Sequence, residues 1–227
     1  MISTTIAGEC VTLLPERGVF WESWRTLFIA DLHLGKSAAF RAVGVPVPEA
    51  STDADLARLD RMIERTSAAA LVILGDLFHA RSGCTQEPMG AFERWRARRG
   101  DLAITLVRGN HDRAAGDPPA RWDIRTISGP ASMGPFALVH EPAEVEHAYV
   151  LAGHLHPAVR MSGFGGQSMR APCFWFGARV GVLPSFGSFT GAKVIHPERG
   201  DRVFALGDSS IVEVKLEAPA QTSRCRC

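Results

Sequence analysis

Residues 27–33, Leu-Phe-Ile-Ala-Asp-Leu-His, place four apolar side chains directly before an aspartate and a histidine. A short apolar run of this kind is typical of a buried strand. The same arrangement recurs along the chain, with polar clusters after apolar runs at Asp31-Leu32-His33, Gly75-Asp76, Gly109-Asn110-His111-Asp112, His140 and Gly153-His154-Leu155-His156. Because ligands collect at the carboxyl ends of strands in open layered sheets, these five clusters are predicted to meet in one crevice.

The sequence around these clusters predicts a layered α/β (α+β) fold. Helical spacing of apolar residues predicts helices over 53–65, capped by Thr52, and over 87–99, capped by Thr85 and ended by Gly100. Strands are predicted at 10–14, 19–24, 27–30, 71–74, 102–107, 136–139, 149–152, 173–176, 180–183, 202–205 and 211–216. An alternating strand and helix half followed by a strand-rich half predicts two packed sheets flanked by helices.

Length and composition predict one folded domain. The chain has 227 residues, of which 46% are hydrophobic and 22% charged, and we expect residues 1–218 to form the domain and 219–227 a disordered tail. A formal net charge of +1 excludes a global field that would recruit nucleic acid, so any polyanion must be bound locally. The longest aliphatic run, 68–74, is too short to span a bilayer, and a cytoplasmic protein without membrane contact is expected.

The polar clusters supply a set of nitrogen and oxygen donors without thiolate. This set suits manganese, iron or zinc, and its members are Asp31, His33, Asp76, Asn110, His140, His154 and His156. Seven ligands are too many for one four-coordinate site. Two metals about 4 Å apart that share a carboxylate would use all seven and would form the clamp known for phosphoryl hydrolysis.

Local spacing suggests how these ligands are held. Asp31 and His33 are two residues apart, as are His154 and His156, and side chains at i and i+2 of an extended backbone point the same way. Each pair is therefore predicted to hold one centre. Gly75, Gly109 and Gly153 precede ligands where the chain must turn sharply, a conformation that costs glycine least.

In this order, D-x-H, G-D, G-N-H-D, H and G-H-x-H resemble the calcineurin-like metallophosphoesterases between Asp31 and His156. The resemblance implies a two-sheet β-sandwich with a binuclear metal site, in which a metal-bridging hydroxide attacks a phosphodiester. It also implies two ligand sets, Asp31, His33, Asp76 and His156 for one metal and Asp76, Asn110, His140 and His154 for the other. His111 corresponds to the family's catalytic histidine, which stabilises transition-state charge or protonates the leaving oxygen, and Asp112 would fix its tautomer.

The segment Gly75-Asp76-Leu77-Phe78-His79 departs from the protein phosphatases, which have an aspartate where this chain has His79. It resembles double-strand-break repair nucleases, in which this histidine lies beside the metals and helps to place the nucleic-acid strand. Arg108 and Arg113 flank the Gly-Asn-His-Asp loop and are expected to contact phosphates of the substrate.

Nearly the whole chain resembles the compact ligase-associated DNA damage response endonucleases, the PdeM group. In the C-terminal part the resemblance depends on Ala171–Trp175 and Leu183–Gly191, which are less specific motifs than the metal ligands. Membership implies manganese-dependent cleavage of single-stranded DNA in repair, and the donor set itself leaves iron or zinc as alternative metals. It also implies a functional association with a DNA ligase, a helicase and an exonuclease.

Other functions stay open on the residues alone. The same site could hydrolyse nucleotides, cyclic nucleotides or other small phosphoesters, and some proteins of this fold are non-catalytic scaffolds. Residues 30–37 also fit a relaxed nucleotide-binding loop, but an aspartate inside a phosphate cradle would repel its ligand, and the later histidine clusters would be left without a role. Lys36 in that loop is expected to be a solvated lysine, and the alternative is that it approaches a phosphate near the site.

Overall fold

The computed structural model describes residues 1–47, 51–162 and 168–216. The tail predicted at 219–227 lies outside these ranges, and the extent of the domain, 1–218, stays a prediction. None of the helices within the described ranges combines the length and the apolar character that a bilayer-spanning segment requires.

The first sheet has seven strands that follow one another in chain order. They are β1 Ile2–Ile6, β2 Glu9–Leu14, β3 Gly18–Trp21, β4 Thr26–Ile29, β5 Ala70–Leu74, β6 Ala103–Val107 and β7 Ile124–Ile127. Strands β1 to β4 pair antiparallel, whereas β4 to β7 pair parallel, with Leu27 opposite Leu71 and Leu71 opposite Ile104. The three inner parallel strands end at the same edge, where the first three polar clusters begin.

The second sheet is also mixed. Its strands are β8 Ala131–Met133, β9 Phe136–Leu138, β10 Tyr149–Ala152, β11 Pro157–Ser162, β12 Ser168–Phe176, β13 Val180–Val182, β14 Lys193–Val194, β15 Arg202–Leu206 and β16 Ile211–Val214. They lie in the order β14-β11-β12-β13-β10-β9-β8, with β15 paired to β12 and β16 to β15. Strands β9 and β10 are parallel neighbours, so His140 and His154, which follow them, also share one edge.

Among the described residues up to 115, the α-helices are α1 Lys36–Ala42, α2 Ser51–Thr66, α3 Gln86–Arg98 and α4 Asn110–Ala115. Leu59 and Met62 of α2 and Phe92 and Trp95 of α3 are fully buried against one face of the first sheet. The spacing of these residues is the helical periodicity that predicted both helices.

The first sheet is buried on both faces, with alternate residues in two clusters. Leu27 and Ile29 of β4 pack in the helix-side cluster, whereas Phe28 packs in a second cluster between the two sheets. Trp21 and Phe136 meet across that interface with ring centroids 5.0 Å apart. The predicted two-sheet architecture is confirmed, with its helices on the outer face of the first sheet.

Several elements were missed by the sequence prediction. Strands β1, β7, β8, β11 and β14 and helices α1 and α4 are absent from it. Most of these elements are short, and β1 carries three polar residues among its five. They therefore lack the apolar pattern that identifies a core element in a sequence. The strand predicted over 19–24 ends at Trp21, because a 3₁₀ turn follows and Arg25 has a φ of 45°.

Candidate metal centre

The five polar clusters meet at the edge where the parallel strands of both sheets end. Loops 31–34 and 75–78 run side by side beyond β4 and β5, with the N–H of His33 donating to the carbonyl of Asp76 at 2.8 Å. The Asp31 Oδ1 atom lies 3.6 Å from His156 Nε2 and 3.8 Å from His140 Nδ1. The predicted convergence of side chains 125 residues apart is therefore observed.

The backbone at these side chains is not extended. Left-handed φ angles, between 47° and 70°, occur at Asp31, His33, Asp76, His154 and His156. The prediction that Asp31 with His33, and His154 with His156, project from an extended backbone is wrong. Each of these residues turns sharply as the chain leaves its strand, and such backbone strain in non-glycine residues concentrates at functional sites.

Two groups of predicted donors have ligand atoms that lie within 4.8 Å of one another, and a third such group, His33, His79 and His111, also contains His33. The first donor group is Asp31, His33 and His156, and the second donor group is Asp76, His140 and His154. Asn110 joins the second group, with its Oδ1 3.0 Å from His140 Nε2. His154 and His156 thus belong to different groups, contrary to the expectation that each pair holds one centre.

Asp76 lies between the two groups. Its Oδ2 atom is 3.9 Å from His33 Nε2 in the first group and 3.4 Å from His140 Nε2 in the second. Burial alone would raise the pKa of Asp76, but the hydrogen bond and charge of His140 lower it below its ordinary value. A shared, ionised carboxylate at this position is what a two-metal site requires.

Both carboxylates are held in place by backbone donors from other clusters. The N–H of His111 donates to Asp76 Oδ1 at 3.0 Å, and the N–H of His154 donates to Asp31 Oδ2 at 2.9 Å. Asp31 and Asp76 are 0% and 2% exposed. Two buried anions need compensating positive charge, because an unpaired buried charge is costly.

The histidines are oriented as metal ligands are. His140 Nδ1 donates to the Leu74 carbonyl at 3.0 Å and His156 Nδ1 donates to that of Gly191 at 3.0 Å, so each Nε2 lone pair points into its donor group. Metal-bound histidines commonly donate their second nitrogen in this way. Around His140 Nε2 the neighbours are the acceptors Asn110 Oδ1 and Asp76 Oδ2. A cation satisfies such a set, and the donors therefore fit a metal.

Burial and the buried carboxylates act in opposite directions on the pKa values of the site histidines. Burial lowers the pKa of His140, but Asp76 raises it more, so the net shift is upward. Burial lowers the pKa of His33 to about 2, and His33 is therefore a neutral imidazole at physiological pH, the form that binds metals.

Two different physical reasons explain why glycine precedes the predicted ligands. Gly75 has a φ of 81°, as expected for a turn, but Gly109 has a φ of −89°. A Cβ at Gly109 would overlap Asp76, and one at Gly153 would lie 2.8 Å from Asp31 Oδ2. The turn explanation is therefore wrong for Gly109 and Gly153, which are small because a carboxylate lies against them.

His111 lies beside the first donor group, and its ring centroid is 5.1 Å from that of His33. Its Nδ1 hydrogen-bonds the backbone carbonyl of His79. Asp112 was expected to make that contact, and the structure contradicts this. The Asp112 carboxylate instead accepts from the N–H of Phe78 at 3.0 Å and from the N–H of Gly109, the residue before α4, at 2.9 Å.

The predicted substrate-contacting residues differ in availability. His79 lies next to His33 and His111, with its ring centroid 5.3 Å and 5.1 Å from theirs. Arg108 is bound by both carboxylate oxygens of Asp117, and Arg113 pairs with Glu141 at 3.1 Å. Both side chains of the Arg113 pair are 57% exposed, so that contact is weak and a phosphate can replace it.

Lys36 is not the freely solvated lysine that was expected. Lys36 is the first residue of α1 and is partly buried. Burial lowers its pKa below the ordinary lysine value, although the charges of Asp31 and Asp76 raise it in part. The ammonium group therefore lies within the field of the buried carboxylates. The sequence could have indicated this position, because Lys36 follows Asp31 by only five residues in the segment that resembles a nucleotide-binding loop.

The chain is similar to known phosphoesterases in sequence and in structure. The family model described as calcineurin-like phosphoesterase matches residues 25–141. The crystal structure of the nuclease MPE from Pseudomonas putida is 37% identical, with a TM-score of 0.82 over 93% of this chain and 99% of that chain. Yfce, a phosphoesterase from E. coli, is 19% identical, with a TM-score of 0.40 over 83% of this chain and 97% of that chain. No curated protein matches the sequence.

Proposed function

This chain belongs to the calcineurin-like phosphoesterase family, and from that premise we propose that it is an endonuclease that cleaves single-stranded DNA. As a member of the family it is a metal-dependent hydrolase of phosphoesters. The observation that carries the proposal is the Asp76 carboxylate, which faces both donor groups from one buried position.

Two divalent ions would be held by the two donor groups. Asp31, His33, Asp76 and His156 would hold one, and Asp76, Asn110, His140 and His154 the other. Bound there, they would supply Lewis acidity and an activated water. The donor set suits manganese, which we propose as the active metal, and iron or zinc are the alternatives.

The chain's own residues account for the remaining chemistry. The carbonyl of His79 accepts the Nδ1–H of His111, which leaves Nε2 to hold the proton that is donated to the departing sugar oxygen. Asp112 does not touch the imidazole. It fixes the loop that carries His111 by accepting two backbone N–H groups.

A DNA substrate is supported by the likeness to a nuclease over nearly the full length of both chains. His154 is exposed and His111 and His156 are partly exposed, so the donor groups open directly onto the surface. A polymer can approach such a site without threading through a tunnel. The proposal includes a cytoplasmic role in DNA repair together with a DNA ligase, a helicase and an exonuclease.

Circular single-stranded DNA tests the proposal. The purified chain with Mn²⁺ is incubated with circular single-stranded DNA, the same DNA as a relaxed duplex, and a cyclic nucleotide. Linearisation of the single-stranded circle alone is expected. Digestion only of linear strands would indicate an exonuclease, turnover only of the cyclic nucleotide would indicate a small-molecule phosphodiesterase, and no turnover would indicate a scaffold.

A further inference from the structure

A series of rings leads from the candidate metal centre to the surface. The rings of His111 and His79 are nearly parallel, with centroids 5.1 Å apart and an angle of 21°, and Phe40 continues the series at 6.0 Å and 15° from His79. Phe189 packs edge-on against Phe40 at 6.1 Å. Phe189 is 46% exposed, which makes it the solvent end of the series.

The loop that carries Phe189 is attached to the metal centre. Its Gly187 N–H donates to the carbonyl of Asp31 at 3.0 Å, and Phe186 N–H donates to that of Ala30 at 2.7 Å. A narrow cleft lies between this loop and α1, lined by His33, Lys36 and Phe189 among others. Its inner space is about 20 Å³, enough for one water and too small for a nucleobase. A base can therefore lie on the exposed face of Phe189 but cannot enter the cleft.

Positive charge continues from the same loop along helix α2. Arg58 donates to Ser188 Oγ at 3.1 Å, next to Phe189, and also pairs with Asp55 at 2.8 Å. Arg61 follows on the same face of the helix, because residues three and four apart are neighbours there. The arginines of this face line a groove of about 500 Å³, which also contains Glu16 and Asp208.

Arg61 is an exposed cation of this groove. It is exposed and makes no ion pair within the part of the chain that the structure describes, whereas Arg65 pairs with Glu16. In the Gly-Asn-His-Asp segment and its flanks, Arg108 pairs with Asp117 and Arg113 with Glu141. An approaching phosphate therefore meets an uncompensated guanidinium on the Phe189 side.

We propose that the nucleotide beside the cleaved phosphate stacks its base on Phe189, and that the following phosphates run towards Arg61 on α2. This inference rests on the proposed nuclease function and gives it a strand path. Exposed aromatic side chains bind unpaired bases by stacking on them. The bases of a duplex are already stacked on one another, so the path selects single strands.

Binding to metal-free protein tests the base contact without relying on catalysis. A fluorescein-labelled oligothymidylate is titrated with the chain in EDTA, and anisotropy gives the Kd. Phe189→Ala is expected to raise the Kd on the order of 5- to 100-fold, whereas Phe189→Trp retains the affinity. Trp24→Ala is the matched control, because Trp24 is a 51% exposed aromatic residue on the 3₁₀ turn after β3 and should leave the Kd unchanged.

An abasic strand of the same length separates base stacking from other effects. Wild type and Phe189→Ala should bind this strand equally, because no base is present to stack. A similar loss on the abasic strand would overturn the stacking contact, as would an unchanged Kd of Phe189→Ala for oligothymidylate. If the wild type neither binds nor cleaves single strands, the nuclease proposal itself fails.

The phosphate contact of Arg61 has its own readout. Arg61→Gln should reduce the slope of log Kd against log salt by about 0.7, the value for one phosphate of a single strand. Arg94→Gln on α3 changes an exposed arginine on another helix and should leave that slope unchanged. Equal slopes for wild type and Arg61→Gln would exclude Arg61 from the path.

Discussion

Asp76 gives its two carboxylate oxygens to different tasks. Oδ1 accepts the His111 N–H, and Oδ2 faces both donor groups. The identity of this residue could be predicted from the order of the motifs. Its φ of 52° could not, because a residue pattern records side-chain type and spacing but not the backbone turn that aims the side chain. The left-handed conformation costs roughly 1–2 kcal/mol in a non-glycine residue.

His111→Asn is expected to lower kcat for single-stranded DNA on the order of 100- to 10,000-fold, the usual contribution of a positioned acid or base. The metal content should stay at the wild-type value, because His111 is outside both proposed ligand sets. Steady-state cleavage and metal analysis of the same preparation measure both. His147→Asn, an exposed histidine with a left-handed φ of 58°, is the control. Undiminished cleavage by His111→Asn would exclude the proposed proton transfer.

Acid should weaken the metal-free protein through His79. Burial, with smaller effects of Lys36 and His111, lowers the pKa of His79 to about 4. Between the ordinary histidine pKa of about 6.5 and this value the unfolded state binds more protons than the folded state. The free energy of unfolding therefore falls as the pH is lowered through this window and is unaffected above it.

Urea unfolding of wild type and His79→Gln at pH 7.5 and 5.0 measures this effect. The variant should lose less of its free energy of unfolding between the two pH values than the wild type does. His196→Gln, at an exposed position, should lose as much as the wild type. An identical loss in His79→Gln and wild type would show that His79 does not titrate in this way.

At the scale of elements, the junctions between strands and loops build the site. Strand β6 ends before Gly109, and helix α4 begins at Asn110, with the Asp112 carboxylate accepting the N–H of Gly109. The sequence predicted the polar cluster. Asp112 was expected to accept a hydrogen bond from the His111 ring, because adjacent residues of a motif suggest a shared role. Gly109 and Asp76 follow two different strands, β6 and β5. Their contact therefore could not be predicted from the local sequence around either residue.

Gly109→Ala tests this contact between elements. Its φ of −89° suits alanine, so the only change is a Cβ that overlaps the Asp76 carboxylate. Displacement of that carboxylate should reduce bound metal and should lower cleavage on the order of 100-fold, as misplacement by about 1 Å does. Gly100→Ala is the control, because a Cβ there meets no atom within 4 Å. Wild-type metal content in Gly109→Ala would show that Asp76 tolerates the shift.

At the scale of the whole molecule, the candidate centre lies where the two sheets meet. Apolar periodicity predicted two sheets because every core strand carries its own pattern. The pairing of β15 with β12, and the parallel pairing of β14 with β11, could not be predicted, because the partners are distant in sequence and the short strands carry little pattern. The site geometry depends on that packing, since Asp31 belongs to one sheet edge and His154 to the other.

Trp21→Ala should weaken the contact between the sheets. Trp21 is fully buried and packs on Phe28 and Phe136, so its removal is expected to lower the free energy of unfolding by about 3–5 kcal/mol. Trp24→Ala, at a neighbouring exposed ring, should cost much less. Urea unfolding of both variants measures the difference, and equal losses would contradict a core that depends on the interface between the sheets.

The number of metal ions bound by Asp76→Asn tests the shared carboxylate most directly. Each protein is equilibrated with Mn²⁺, passed through a desalting column and analysed by inductively coupled plasma mass spectrometry. Wild type and the exposed-site control Asp101→Asn should each retain two ions per chain, whereas His156→Ala should lose one and Asp76→Asn both. Two ions retained by a folded Asp76→Asn would contradict a carboxylate that joins the two sites.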